Sequence, residues 1–146
     1  MDKDLILELP TDLQSIEDAV DYVVARCDAC ERAASRLRFN FRVGLTEALS
    51  NAMLYGNGHD PSKRVMVEVR INKVMVTARV TDQGVGFDPA LVPDPTTPDH
   101  LSDVGGRGLF LMKKLLDEVS FNDRGNSVTL VLRLDGDGVL EGGAQA

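Results

Sequence analysis

A glutamate and an asparagine stand four residues apart in the run Leu45 to Asn57, LTEALSNAMLYGN, which is otherwise mostly apolar. Residues i and i+4 share a helix face. Glu47 and Asn51 therefore point the same way, while Leu45, Ala48, Leu49 and Ala52 are free to bury. Polar groups in a helix that is largely buried are costly unless something engages them. A glutamate carboxylate can orient or deprotonate a hydroxyl. An asparagine carbonyl oxygen can ligate Mg²⁺, an ion that takes few protein ligands and leaves its other positions to phosphate oxygens and water.

Two glycine-rich stretches offer complementary chemistry. Asp82-Gln-Gly-Val-Gly86 ends an apolar run. A carboxylate there can accept a hydrogen bond from an exocyclic amine, and Gly84 and Gly86 let backbone approach a planar ring. Gly105-Gly-Arg-Gly-Leu109 opens a helix with exposed N–H donors at the positive end of its dipole, and Arg107 adds a fork suited to phosphate oxygens. Each stretch alone has a plainer reading: a solvated aspartate in a turn, a loop-to-helix junction with a surface arginine, a solvated i,i+4 pair. The three together indicate a nucleotide site.

The surrounding elements follow from periodicity. Leu5, Leu7 and Leu9 alternate with Ile6 and Glu8, which predicts a short strand ended by Pro10. Ser15, with Glu17 and Asp18 behind it, predicts a first helix. Ile16, Val20, Val23, Cys27, Cys30, Ala34 and Leu37 step by alternating fours and threes, so the Cys27-x-x-Cys30 pair reads as thiols on a packing seam. No second cysteine pair exists, and His59 and His100 lie far from it in sequence, which weakens a redox or zinc reading. A phase change around Ser35 to Asn40 predicts a break, then a second helix to about Tyr55, stopped by Gly56-Asn-Gly58. Alternation over 65–71 and 74–81 predicts two strands joined at Asn72-Lys73. Pro89, Pro93, Pro95 and Pro98 leave 87–103 as a binding loop or lid. A third helix is predicted from Gly106 to Phe121 and a last strand from Ser127 to Leu134, with a frayed tail over 135–146.

At 146 residues and 43% hydrophobic content the chain suits one compact domain. No window approaches the roughly 18 consecutive apolar residues of a membrane span, and the N-terminus lacks signal-peptide order. A cytoplasmic protein with no membrane association is expected. A net charge of −7 argues against direct nucleic-acid binding, which draws its affinity from Lys and Arg. It leaves room for a polyphosphate neutralised locally by N–H groups, one arginine and a divalent ion.

In order and spacing, Glu47-x-x-x-Asn51, Asp82-x-Gly84-x-Gly86 and Gly106-x-Gly108 resemble the nucleotide-binding boxes of the Bergerat-fold ATPases, which include gyrase and the histidine kinases. The stretch TEALSNAMLYGN looks most like the anti-sigma factor serine kinases of bacterial partner-switching systems. The resemblance implies one histidine-kinase-like ATPase domain over 1–134. Its class would be α+β, a two-layer sandwich whose mixed, mostly antiparallel sheet is covered on one face by about three helices. ATP and Mg²⁺ are the implied cofactors. Asn51 would ligate the metal, Asp82 would receive the adenine amine, and Gly84 and Gly86 would line the base. Gly106, Arg107, Gly108 and Leu109 would hold the phosphates beneath a lid formed by 87–104, and Glu47 would be the general base toward a partner's serine. The family's Gly-Thr before the last strand is replaced here by Gly125-Asn126-Ser127, leaving Asn126, Ser127 and Thr129 as alternatives for supporting adenine through a water. Tyr55 stands where many relatives carry histidine. Implied partners are an antagonist protein as substrate, a sigma factor, and a second copy of the chain pairing through the N-terminal strand. Two other readings are a regulator that binds ATP without transfer and the catalytic piece of a histidine kinase.

Overall fold

The computed structural model describes residues 3–27, 35–84 and 106–134. Apolar alternation becomes five strands: β1 (Lys3–Pro10), β2 (Arg64–Ile71), β3 (Met75–Thr81), β4 (Glu118–Phe121) and β5 (Ser127–Arg133). They form one sheet in the order β1-β2-β3-β5-β4. Each of its four pairings is antiparallel, so the described sheet is not mixed as expected. Because side chains alternate across a strand, Val65, Val67, Val69 and Ile71 of β2 share a face with Val76, Ala78 and Val80 of β3 and Val128, Leu130 and Leu132 of β5. All ten are buried in a single core.

Helices cover that face. α1 (Gln14–Ala25) contributes Ile16, Ala19, Val20 and Val23. α2 is one helical run over 36–56, and α3 is Gly106–Leu115. Leu37, Phe41, Leu45, Leu49 and Met53 of α2 and Leu109 and Met112 of α3 complete the core. The opposite sheet face carries cross-strand ion pairs, Asp4 with Arg70 and Glu68 with Arg79, and remains open to solvent. Gly44 lets α2 and the end of α3 approach closely: a Cβ there would meet Leu116 Cδ1 at 2.7 Å.

Several sequence expectations are corrected. The first helix begins at Gln14, with Asp12 Oδ1 accepting from Gln14 N, while Ser15 Oγ donates back to Asp12 O. Ser15 is thus inside the first turn and does not cap it. α1 stops at Ala25, so the break precedes the predicted one. Cys27 is buried beyond the helix end, while Cys30 and Ala34 lie outside the described residues. The phase change at 35–40 is no interruption. It is a π-helical turn, Arg36–Phe41, continuous with α-helical Arg42–Asn51 and followed by a second π-helical turn, Ala52–Gly56. The wider turn explains why Leu37, Phe41 and Leu45 bury at steps of four.

The third helix ends at Leu115, and Glu118–Phe121 is a strand. Asp117 makes that exit. Its N donates to Val131 O, and its carboxylate receives Arg133 N and the Arg36 guanidinium. Leu109, Met112, Leu116 and Val119 keep helical spacing through the junction, so local pattern concealed the edge strand. The tail at 135–146 and the loop at 87–103 lie outside the described residues.

Candidate functional site: a helix flanked by two glycine turns

α2 carries the polar pair on the margin of its buried face. Leu45, Ala48 and Leu49 are buried, and Glu47 and Asn51 are half-buried between them and solvent. The first turns of α3 close over this pair. A Cβ on Gly108 would stand 2.8 Å from Glu47 Oε1 and 3.1 Å from Asn51 Nδ2. Glycine at this position is therefore what lets the α3 N-terminus, with its N–H groups and positive dipole end, lie against a carboxylate and a carboxamide. Leu109 is buried in the core and anchors that turn. Gly106 and Arg107 belong to the same helical turn.

The C-terminal end of α2 meets the Asp82 turn. Asp82 immediately follows β3, and its N donates to Asn126 O at 2.9 Å, extending the β3–β5 ladder by one bond. Its Oδ1 accepts from Gly84 N at 2.8 Å. The carboxylate lies on Gly56, where a Cβ would be 2.2 Å from Oδ2. Gly84 in turn packs on the Gly56 carbonyl, and a Cβ on Gly84 would be 1.9 Å from that oxygen. Burial pushes the Asp82 carboxyl above the usual carboxylate range, with the Gly84 N–H and the cationic Lys63 and Arg124 pulling the other way.

Two predicted segments, the polar pair and the glycine-led helix, thus meet midway along α2, and the aspartate turn meets its C-terminal end. Gly56 stands nine positions after Glu47, an axial distance of at most about 13 Å at α-helical rise. Gly86 lies outside the described residues. Thr129 does not join the site. It alternates with buried Val128 and Leu130 and therefore faces the side of the sheet away from the helices, across from Arg79 and Ser120. Ser127 is on that outer side as well, bonded to Thr81 through their hydroxyls. Of the three alternatives Asn126 alone touches Asp82, through the ladder bond and through Asn126 Nδ2 to Asp82 O at 3.4 Å. Period-2 alternation should have excluded Thr129, since it differs in parity from the inward-facing residues of β5.

In the sequence Asn57 lies between the two glycines expected to stop the second helix. In the fold it is a buried polar hub, only 2% exposed. Its Oδ1 accepts from Gln83 N at 2.8 Å, and its Nδ2 donates to Thr11 Oγ1 at 2.9 Å and Arg64 O at 3.0 Å. An asparagine between two glycines gives no local sign of such a role.

Among the described residues no three His, Cys, Asp or Glu side chains gather as a metal cage. The Asn51 oxygen is a donor of the sort that suits a hard ion shared with phosphate oxygens. Among the described residues no helix is long and apolar enough to cross a membrane.

Comparison with known proteins accords with this geometry. The chain is 34% identical over 90 residues to the anti-sigma F factor of Geobacillus thermodenitrificans, covering 60% of this chain and 61% of that protein. It is 29% identical over 119 residues to the serine-protein kinase RsbW of Bacillus subtilis, covering 73% and 74%. It is 27% identical over 120 residues to the serine/threonine-protein kinase BtrW of Bordetella bronchiseptica, covering 81% and 84%. The match thus spans about three fifths of the Geobacillus protein and more of the other two. The histidine kinase-like ATPase domain model matches residues 9–132, nearly the whole described fold, and the chain belongs to that family.

Proposed function

We propose that this chain binds ATP with Mg²⁺ and transfers the terminal phosphoryl group to a serine of a small antagonist protein, and that without that antagonist it holds a sigma factor inactive. The observation that supports the reading is that one helix carries both polar clusters, Gly56 beneath Asp82 in one and Glu47 and Asn51 beneath Gly108 in the other. Relatives named as serine-protein kinases and anti-sigma factors support the choice of reaction.

In this reading Asp82 accepts from the adenine amine, and Gly84 and Gly86 line the ring. Asn126 supports Asp82 from the neighbouring strand, in the place that the sequence reading left open among three residues. Gly106, Arg107, Gly108 and Leu109 present the α3 N-terminus to the phosphates. Mg²⁺, held by Asn51 and phosphate oxygens, would neutralise charge on the transferring group. Glu47 takes the proton from the serine hydroxyl as the new oxygen–phosphorus bond forms and the bond to the β-phosphate oxygen breaks, releasing ADP. Such transfer is mostly positioning and charge neutralisation.

The test is incubation with labelled ATP and candidate antagonist proteins. Glu47→Ala should keep ATP affinity and lose transfer. Transfer at the parental rate in that variant would remove Glu47 as the base, and labelling by neither protein would leave an ATP-dependent binding regulator.

A homodimer is part of the same proposal. Among the described residues β1 pairs on one side only, and Ile6 on its outer face is 71% exposed. Unpaired edges invite pairing with a second chain. Sedimentation should show a dimer, and Ile6→Lys should shift it toward monomer.

A further inference from the structure

Asn57 ties the C-terminal end of α2 to three parts of the chain that the β1–β2 and β2–β3 pairings bring close together. Its partners Thr11, Gln83 and Arg64 are 46, 26 and 7 residues away. The orientation of its amide is dictated by those partners. Gln83 N–H can only donate and Arg64 C=O can only accept, and Thr11 Oγ1 already donates to Lys63 O at 2.7 Å. A flipped carboxamide would put donor against donor and acceptor against acceptor. Asn57 N also donates to Ala52 O at 2.7 Å, so the residue is held to the π-helical end of α2.

The consequence falls on Asp82. The three N–H groups of the turn at 82–84 donate in order to Asn126 O, Asn57 Oδ1 and Asp82 Oδ1, while Asp82 O accepts from Asn126 Nδ2 and Gln83 Oε1 accepts from Arg64 N at 2.6 Å. The first aligns the turn with the sheet, and the third occupies one carboxylate oxygen. The middle bond ties the turn to α2, and so keeps Asp82 on Gly56 and sets where its other oxygen faces.

We infer that Asn57 is a positioning residue for base recognition: by holding the Gln83 N–H it fixes the Asp82 carboxylate as an acceptor for an amine and gives the site its preference for adenine over guanine. Adenine offers an exocyclic donor at the position where guanine offers an acceptor. A rigidly held carboxylate discriminates between them, and a loosened one can turn aside. The inference rests on the ATP reading of the site.

The experiment compares Asn57→Ala with Thr11→Val by calorimetry against ATP and GTP, alongside thermal stability. Thr11→Val removes a partner of the same amide but leaves the Gln83 contact in place. Asn57→Ala should weaken ATP by about tenfold or more and shrink the ATP-over-GTP ratio by a similar factor. Thr11→Val should lose stability and keep both binding values. Parallel changes in the two variants, or an unaltered ATP-over-GTP ratio in Asn57→Ala, would overturn the inference. Should Asn57→Ala not fold, amide exchange of the parental chain decides. The Gln83 N–H should be protected before nucleotide is added. If it exchanges freely until ATP arrives, the ligand and not Asn57 orders the turn, and the inference fails. A parental chain that binds no ATP would bring down the functional reading itself, whereas normal ATP binding with no effect of Asn57 would remove only this step.

Discussion

Asp82 is held where its own charge is disfavoured. Desolvation raises its pKa, so the folded chain prefers the neutral acid more than the unfolded chain does. This group's contribution to stability is therefore greatest at low pH, declines as pH rises from the ordinary aspartate value through the raised one, and is fully unfavourable above it. Asp82→Asn keeps an oxygen for Gly84 N and removes the charge. At pH 7 its melting temperature should equal or exceed that of the parental chain, while ATP affinity falls roughly ten- to a hundred-fold, the worth of a hydrogen bond to a charged group. A lower melting temperature together with unchanged affinity would refute both halves. In the parental chain ATP affinity should begin to drop, on acidification, at a pH above the ordinary aspartate value. Thr129→Val is the counterpart on the far face of the sheet and should leave ATP affinity unchanged by calorimetry.

At the scale of elements, two glycines test how the site is assembled. A Cβ on Gly84 would meet the backbone oxygen of Gly56, which can yield only if the turn or the end of α2 moves. Gly84→Ala should therefore abolish measurable ATP binding. A Cβ on Gly108 would meet the ends of Glu47 and Asn51, side chains that can rotate away. Gly108→Ala should keep much of the ATP affinity and lose most of the transfer, because the displaced atoms are those assigned to chemistry. Equal effects of the two substitutions on affinity and transfer would contradict the division of labour between the middle of α2 and its C-terminal end. The helix itself was legible from Leu45 to Asn51, where apolar residues recur at helical spacing. Its π-helical ends were not, since a wider turn shows in sequence only as a change of phase.

At the scale of the whole molecule, the site depends on the core beneath it. Leu130 lies on β5 with no exposed surface. Leu130→Ala should cost about 2–5 kcal/mol in chemical denaturation. ATP affinity in the folded fraction should stay near the parental value, because the site's polar groups lie elsewhere. A large loss of affinity without loss of stability would mean that the sheet transmits strain to the site. The uncovered sheet face makes a further contribution through its ion pairs. These are exposed, and pairs of that kind contribute little to stability.

The amino-acid sequence by itself determined the character of β2, β3 and β5, the polar pair on α2 and the glycine turns around it, because each is written within a few residues and repeats at the period of its element. The tertiary structure alone decided the rest. Asp117 ends α3 by accepting from Arg36 and Arg133, and so makes β4 a strand in a segment whose spacing is still helical. Strand parity across β3 and β5 brings Asn126 to Asp82 and takes Thr129 away. Asn57 becomes a buried hub only when Thr11, Arg64 and Gln83 converge on it. Such contacts join distant parts of the chain, and a residue's hydrogen-bond partners depend on where the backbone returns, which no local pattern records.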